Sequence, residues 1–282
     1  SIVFLALFGS HACIAADVPC HDVDVCVYGG TASGVMAALA AGKEGANVIL
    51  VEPSRWLGGM TGGGINNLDW GKGNTVGGST YKILMEGVKE QPRAHGGHAV
   101  QGIGNRAYRE RFKKAVEDRG ITVIYNHRVG KVQVGDRTID SPTRKDPIAM
   151  NESITKSKQA NVIQSITLDY APVDETGCPI PEPEKRNAIT ISAKVFIDCS
   201  YEGDVLGMSG ASYTWGRESR EHYDESLAGV RPSLWVHDID PYVEPGDPES
   251  GLVPFVQDKT IGPLGSADSL SMGYCFRHEF DM

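Results

Sequence analysis

Short apolar runs alternate along this chain with turn residues and with stretches of helical spacing. The stretch Asp24–Tyr28 is mostly apolar and ends at two glycines, and Ala32–Ala41 follows as a run of small residues. A second apolar run, Asn47–Glu52, ends in a carboxylate. The strands of a parallel sheet are near-continuous apolar runs when helices cover both faces of the sheet. The pattern therefore predicts a βαβ unit at the start of an α/β fold.

The remainder of the chain continues this alternation of helices and strands. Residues 80–89 have helical spacing, residues 105–119 form an amphipathic helix that Gly120 ends, and residues 121–125 are a clear strand. Further strands are predicted at 131–134, 162–168 and 188–192, followed by an apolar run at 193–198. We expect a Rossmann-like domain with a parallel central sheet, a β-meander, and a last strand that returns beside the first.

The turn between the first strand and the first helix carries the candidate chemistry. Its residues are Gly29, Gly30, Thr31, Ala32, Ser33 and Gly34, with the spacing of the dinucleotide-binding fingerprint except that Thr31 replaces the middle glycine. N–H groups of such a turn and the positive end of the helix dipole favour a pyrophosphate. Glu52, 18 residues beyond Gly34, is placed to accept hydrogen bonds from ribose hydroxyls. We interpret the unit as a dinucleotide site; the alternative is a ligand-free βαβ turn.

The segment behind Glu52 favours a flavin nucleotide over a nicotinamide nucleotide. It is rich in glycine, and its N–H groups would run along phosphates or flavin edges, which an NAD-only domain does not need. The candidate contacts in it are Pro53, Arg55, Gly58, Gly59, Met60 and Thr61. Arg55 has a second interpretation as an ordinary surface cation.

Three more residues are candidate cofactor contacts because they follow strands. Val129 lies beyond the strand at 121–125, where its main chain is placed to meet the adenine. Ser200 and Gly203 follow the returning strand, next to the expected cofactor turn. Asp204 is either close to the dinucleotide or a helix cap.

Composition narrows the range of partners and metals. The net charge is −9 without a basic stripe, so neither nucleic acid nor an anionic membrane is an expected partner. The six cysteines include no Cys-x-x-Cys pair, so no zinc site is predicted. His95 and His98 lie among glycines, where solvated histidines are the ordinary expectation. No residue stands out as a catalytic acid or base.

The N-terminal residues predict export. A short apolar run, Ile2–Gly9, precedes small residues that end at Ala15 and Ala16, as at the end of a secretory signal peptide. The run is too short to span a bilayer, and a buried first strand is the alternative. We expect residues 1–16 to be the remnant of a signal peptide and the protein to be periplasmic or secreted; otherwise it is cytoplasmic. In an exported protein, Cys20 or Cys178 could form a disulfide.

Three segments together carry a family resemblance. They are residues 25–34 with Glu52, residues 57–61, and residues 196–204 with residues 216–218. In their order and spacing they resemble FAD-dependent oxidoreductases of the glutathione-reductase-like superfamily, in the branch similar to the flavin subunit of heterodisulfide reductase. The resemblance implies that FAD binds with its ADP half on the first βαβ unit. It also implies a smaller, β-rich substrate domain inserted between pieces of the flavin-binding domain.

The resemblance sets the expected domains and function. We expect an FAD-binding domain over residues 22–210, with a helical insertion at about 62–104 and a surface loop at 135–161, and the start of a substrate domain at 211–282. Heterodisulfide reductase relatives carry cysteine runs for iron–sulfur clusters, which this chain lacks. Their flavin-binding domain also returns once more near its C-terminal end, so we expect a fragment.

The predicted activity is transfer of hydride or electrons between FAD and a small organic substrate. One alternative is a non-catalytic or truncated nucleotide-binding module, and another is an NAD-dependent dehydrogenase.

Overall fold

The computed structural model describes residues 18–63, 67–68, 77–86, 89–92, 98–101, 104–141, 162–175, 177–231, 240–254, 256 and 262–270. The predicted signal remnant at residues 1–16, His95 and most of the predicted surface loop lie outside these ranges. By contacts the chain divides into two units, Ser1–Ser212 and Tyr213–Met282.

The α-helices and β-strands that the structure describes lie in the first unit. In chain order the strands are β1 (Cys20–Tyr28), β2 (Val48–Glu52), β3 (Asn67–Leu68), β4 (Lys89–Pro92), β5 (His98–Gln101), β6 (Thr122–Tyr125), β7 (His127–Val134), β8 (Arg137–Asp140), β9 (Ile163–Tyr170) and β10 (Lys185–Asp198). The helices are α1 (Ala32–Lys43), α2 (Gly59–Gly63), α3 (Gly78–Met85), α4 (Asn105–Asp118) and α5 (Asp204–Ser209).

A seven-stranded mixed sheet organises the first unit. Its strand order is β6-β2-β1-β10-β9-β7-β8. The first four strands of that order run parallel, and the pairs β10–β9, β9–β7 and β7–β8 are antiparallel. The α/β fold with a parallel centre and a meander is therefore confirmed. Strand β8 lies in the region predicted to be a surface loop.

Strand β10 joins the meander to the parallel sheet. Its first part pairs with β9, and its second part pairs with β1 from Cys20↔Thr190 to Tyr28↔Asp198. The sequence pattern predicts two segments here, at 188–192 and 193–198. The structure joins them because no glycine or proline interrupts residues 185–198. One 14-residue strand thereby brings the end at Asp198 next to the glycine turn after β1.

The core lies on both faces of this sheet, because neighbouring strand residues point to opposite sides. Val27 and Leu50 pack with Phe112 and other residues of α1 and α4 on one face. Tyr28 and Val51 pack on the other face, with strand residues of the meander and with α5. Helices and strands thus cover both faces, which explains the apolar runs in β1 and β2.

A second, three-stranded sheet lies where the sequence analysis expected a helical insertion. Its strands are antiparallel in the order β3-β5-β4. The expected helix is present as α3, while the strands beside it were not predicted. They are two to four residues long, and Lys89–Pro92 has no apolar alternation that would predict a strand.

The described residues of the second unit form turns and isolated pairings. Arg217 and Asp268 exchange backbone hydrogen bonds of 2.9 and 3.2 Å, and the guanidinium also binds the Asp268 carboxylate. Tyr242 pairs with Leu252, and Pro248–Ser250 forms a 3₁₀ turn.

The described residues bear on membranes and metals by two absences. They contain no helix that is both long and apolar enough to cross a bilayer. They also contain no group of three or more His, Cys, Asp or Glu side chains arranged to hold a metal ion.

Candidate cofactor-binding site

The candidate site lies where three parallel strands end. β1, β2 and β10 run in the same direction, so Tyr28, Glu52 and Asp198 reach the same edge of the sheet. The turn after each strand therefore meets the other two at this edge. Ligands of open α/β sheets bind at this carboxyl edge.

Close packing requires the glycines of the turn after β1. Gly29 has a φ of +93°, and a Cβ there would lie 2.5 Å from the backbone N of Ser200. A Cβ on Gly34 would overlap the carbonyl oxygen of Gly29. The turn therefore rests directly on the end of β10, and α1 rests directly on the turn. Side chains at these two positions would disrupt the cradle that the fingerprint predicts.

Thr31, which replaces the middle glycine of the fingerprint, has its side chain buried in the protein. Only 6% of the residue is exposed. Its hydroxyl donates to the Cys199 carbonyl at 2.8 Å and accepts from the Gly34 N–H at 3.3 Å. Thr31 is thus the N-cap of α1 and fastens the turn to β10. Its side chain is therefore buried and bonded within the protein instead of projecting from the turn.

The start of α1 contains the residues that the sequence predicts as pyrophosphate donors. Ala32 is partly exposed and Ser33 is exposed, at the first turn of a twelve-residue helix. N–H groups of a first helical turn have no partner within the helix and point beyond its end. The helix dipole places partial positive charge at the same position.

Glu52 is held rigidly beside the turn. Its Oε2 accepts the Gly30 N–H and its Oε1 accepts the Ser54 N–H, both at 2.7 Å. The residue is 8% exposed. Burial raises the pKa of Glu52, and the charge of Glu202 adds to the rise, whereas the Ser54 and Gly30 donors oppose it. A carboxylate offers about four lone-pair sites, and the Ser54 side chain also donates to Glu52, so one site remains for a hydroxyl donor such as that of a ribose.

The segment behind Glu52 folds back onto the turn. The Gly58 N–H donates to the Gly30 carbonyl at 2.8 Å, and Gly58 has a φ of +103°. A Cβ on Gly58 would lie 2.6 Å from the Phe112 ring, so glycine is needed there too. Gly59, Met60 and Thr61 then form the first turn of α2.

Arg55 and Pro53 lie away from this packed centre. Arg55 is exposed, and its guanidinium stacks on the Trp56 ring at 4.5 Å from the centroid. Arg109 of α4 lies 4.6 Å from the same ring centroid. Pro53 is half-buried between Glu52 and Ser54. The sequence did not predict the Trp56 stack, because Arg109 belongs to a distant helix.

Ser200 and Gly203 belong to a tightly bonded turn after β10. The Asp198 carboxylate accepts from the Ser200 N–H at 3.0 Å, from its hydroxyl at 2.7 Å and from the Leu206 N–H at 2.8 Å. The Ser200 hydroxyl accepts from Gly203 and Asp204 N–H groups at 3.0 and 3.1 Å. These groups hold the turn against Gly29; their contact with a cofactor stays a prediction.

Val129 lies on the meander face of the sheet. Its N–H donates at 3.1 Å to the hydroxyl of Tyr28, which donates at 3.1 Å to the Asp204 carboxylate. Burial raises the pKa of Tyr28 and that of Asp204. The Val129 N–H is therefore engaged inside the protein, and its predicted main-chain contact with adenine stays a prediction.

Known proteins were compared with the chain. The family model described as FAD dependent oxidoreductase matches residues 24–155 and 177–280. A comparison with curated proteins found no match.

Similar solved structures include three proteins of low identity. THI4 of Thermovibrio ammonificans is 13% identical, with 67% of this chain and 86% of that chain covered and a TM-score of 0.35. A geranylgeranyl bacteriochlorophyll reductase-like protein of Thermoplasma acidophilum is 13% identical, with coverages of 70% and 45% and a TM-score of 0.38. A flavoprotein/dehydrogenase of Cytophaga hutchinsonii is 16% identical, with coverages of 69% and 44% and a TM-score of 0.38. This chain thus spans less than half the length of the last two proteins.

The two segments matched by the family model make up more than half of the chain and include the glycine turn, Glu52 and the turn after β10. The protein therefore belongs to the FAD dependent oxidoreductase family, with FAD as its cofactor and oxidoreduction as its class of reaction.

Proposed function

We propose that the edge formed by Gly29–Gly34, Glu52 and Gly58–Thr61 holds the FAD. The packing of the glycine turn against Glu52 is the observation that carries this assignment. The Gly30–Glu52 hydrogen bond of 2.7 Å places a nearly buried carboxylate directly beside the start of α1. A diphosphate next to a ribose requires this combination of an anion site and a hydroxyl acceptor.

Each part of the site has a separate role. N–H groups of Ala32 and Ser33 bind the diphosphate, and the dipole of α1 favours its charge. Glu52 accepts a ribose hydroxyl with its remaining lone pair. The path toward the flavin ring is lined by Gly58, Gly59, Met60 and Thr61. Five further residues stay predicted contacts of lower priority, since the structure shows them exposed, partly buried or bonded within the protein. They are Pro53, Arg55, Val129, Ser200 and Gly203.

The reaction is the oxidation or reduction of a small organic molecule. When bound, the ring system of FAD supplies the chemistry by accepting or donating a hydride or electrons. The chain's own residues bind and orient the nucleotide half. We assign the start of the substrate domain to residues 211–282; this is supported by the division between Ser212 and Tyr213.

The cofactor assignment is tested by purifying the protein and identifying what it retains. We expect a yellow protein with a flavin absorption spectrum, from which denaturation releases FAD that chromatography identifies. Release of NAD would favour the nicotinamide-dependent alternative. A colourless protein that does not take up added FAD would contradict the proposal and favour a non-catalytic module.

Export is a separate proposal with its own support. The small residues at Ala15 and Ala16 end an apolar run, and Cys20 is disulfide-bonded in the structure. Disulfides persist mainly in oxidising compartments. Cys178 is a free thiol, so it is not the partner. Mass spectrometry of the protein from its host should find a mature N-terminus at Asp17. An uncleaved N-terminus in the cytosolic fraction would contradict export.

A further inference from the structure

Two arginines stack on the ring of Trp56. The guanidinium carbon of Arg55 lies 4.5 Å from the ring centroid, and that of Arg109 lies 4.6 Å from the same point. The two cations are therefore no farther apart than the sum of these distances. Arg55 follows β2 whereas Arg109 belongs to α4, so the fold brings together two like charges that are distant in sequence.

Packing holds the ring and one of the arginines in place. A Cβ on Gly177 would lie 3.4 Å from the Cη2 atom of Trp56, and a Cβ on Gly63 would lie 3.6 Å from its Nε1 atom. The stem of Arg109 packs against Gly62, where a Cβ would lie 2.9 Å from the arginine Cγ atom. The pair of guanidinium groups is thus positioned by the fold, which lowers the entropy cost of binding a ligand.

The N–H groups of this arginine pair have no protein partner in the part of the chain that the structure describes. Neither side chain forms an ion pair or a hydrogen bond there. Other arginines do, since Arg111 donates to the Ile83 carbonyl at 3.0 Å and Arg217 binds the Asp268 carboxylate. Stacking uses the face of a guanidinium and leaves its five in-plane N–H donors available.

The local charge favours an anion at this pair. The chain carries a net charge of −9, yet the two cations lie close together with no carboxylate bound to either among the described residues. Like charges repel, and a bound anion would relieve that repulsion. The start of α4 adds to the same field, because its N-cap, Gly104, provides no side-chain cap and its first turn contains no acidic residue.

We propose that Arg55 and Arg109 bind the phosphate group of a small molecule other than FAD. A phosphate group carries a charge of about −1.5 to −2 and three acceptor oxygens, so it can accept two guanidinium forks, whereas a single fork fills a carboxylate. Trp56 sets the positions of the two forks. The site does not depend on the FAD assignment, and attachment of both arginines to the diphosphate of FAD is an outcome that the test distinguishes.

The test is an NMR titration of the FAD-saturated protein with inorganic phosphate at constant ionic strength. The Nε–H signals of Arg55 and Arg109 and the indole N–H signal of Trp56 should shift and saturate. Because hydrogen bonds to charged groups are the stronger ones, Arg55→Gln and Arg109→Gln should each weaken phosphate binding about tenfold or more. Arg119→Gln is the matched control, since it removes the same charge from the exposed C-cap of α4 and should leave binding unchanged.

Arg55→Lys separates recognition by the fork from attraction by the charge. It keeps the charge but loses the planar fork, so it should weaken phosphate binding nearly as much as Arg55→Gln. Full retention of binding by Arg55→Lys would overturn the site, and so would shifts that do not saturate. Acetate that binds as tightly as phosphate would overturn the choice of ligand.

The affinity for FAD distinguishes this site from the proposed cofactor site. Arg55→Gln and Arg109→Gln should bind FAD as the native chain does. If both variants lost FAD, the arginine pair would belong to the cofactor site and the inference would be wrong, while the proposed function would stand. A native chain that bound phosphate at Arg55 and Arg109 but took up no FAD would contradict the proposed function and support this site.

Discussion

The backbone N–H of Gly30 donates to the carboxylate of Glu52 at 2.7 Å, across 22 residues of sequence. This bond joins the turn after β1 to the end of β2. The carboxylate is therefore both part of the scaffold that shapes the glycine turn and the proposed acceptor of a ribose hydroxyl. Loss of the charge should affect cofactor binding more than loss of any single contact on the outer side of the site.

Replacing Glu52 with glutamine tests this double role. Glu52→Gln keeps the size and one acceptor oxygen but loses the charge and one acceptor, so FAD binding should weaken by about 2 kcal/mol, or roughly thirtyfold. Isothermal titration of the cofactor-free protein with FAD measures the change. Glu44→Gln, at the exposed C-cap of α1, is the control and should bind normally. Equal FAD affinities of the two variants would show that Glu52 does not contribute to FAD binding.

Gly34 is predicted to be a packing requirement independent of any ligand. An alanine Cβ there would overlap the Gly29 carbonyl oxygen, so the turn and α1 must separate. Gly34→Ala should lower the free energy of unfolding of the cofactor-free protein by about 1–3 kcal/mol, measured by urea denaturation. Gly63→Ala is the control, since among the described atoms its Cβ would come nearest to the Trp56 Nε1, at 3.6 Å. A Gly34→Ala protein as stable as this control would contradict the packing argument.

Asp204 should make the stability depend on pH. Burial raises the pKa of Asp204 above its usual value of 3.8, with Glu202 adding to the rise and Tyr28 opposing it. An acid whose pKa is higher in the folded than in the unfolded state favours folding less once it is ionised. The contribution of Asp204 to stability therefore falls as pH rises from about 4 and levels off above its folded-state pKa.

Asp204→Asn removes this dependence while leaving an oxygen to accept the Tyr28 hydroxyl. The stability of the variant relative to the native chain should rise with pH across the carboxylate range. Denaturation midpoints at several pH values measure it, with Asp118→Asn on the exposed side of α4 as the control. If the difference in stability between the variant and the native chain did not change with pH, the raised pKa of Asp204 would not affect the stability of the fold.

Asp169 is predicted to stabilise the meander through a buried hydrogen bond. It is 5% exposed, and its Oδ1 accepts the N–H of Asn187 at 2.8 Å, where β10 shifts register and Asn187 has a φ of +50°. Asp169→Ala should cost about 1–3 kcal/mol in the free energy of unfolding, because this N–H loses its partner. Asp169→Asn keeps an acceptor oxygen and should cost less. Equal losses in the two variants would contradict the assigned role.

Much of the fold was predictable because its determinants are local. The pattern of neighbouring residues predicts the apolar runs at residues 24–28 and 47–52, the glycine turn between them and the helix at residues 105–118. The family of the protein could be inferred from the same segments, since the fingerprint, the acidic strand end and the later glycine segment occur in a fixed order. The short strands β3–β5 were missed because segments of two to four residues are too short to carry a periodic pattern.

The sequence by itself determined which residues form the turn, the acidic strand end and the glycine segment, because each is a run of consecutive residues with its own backbone preferences. Only the tertiary structure decided what lies across from them. Thr31 bonds Cys199, Tyr28 bonds Val129, and Met60 bonds Tyr201, over separations of 168, 101 and 141 residues. Such pairs depend on the parallel register of β1 and β10 and on which face each side chain takes, and no local pattern along the chain encodes either.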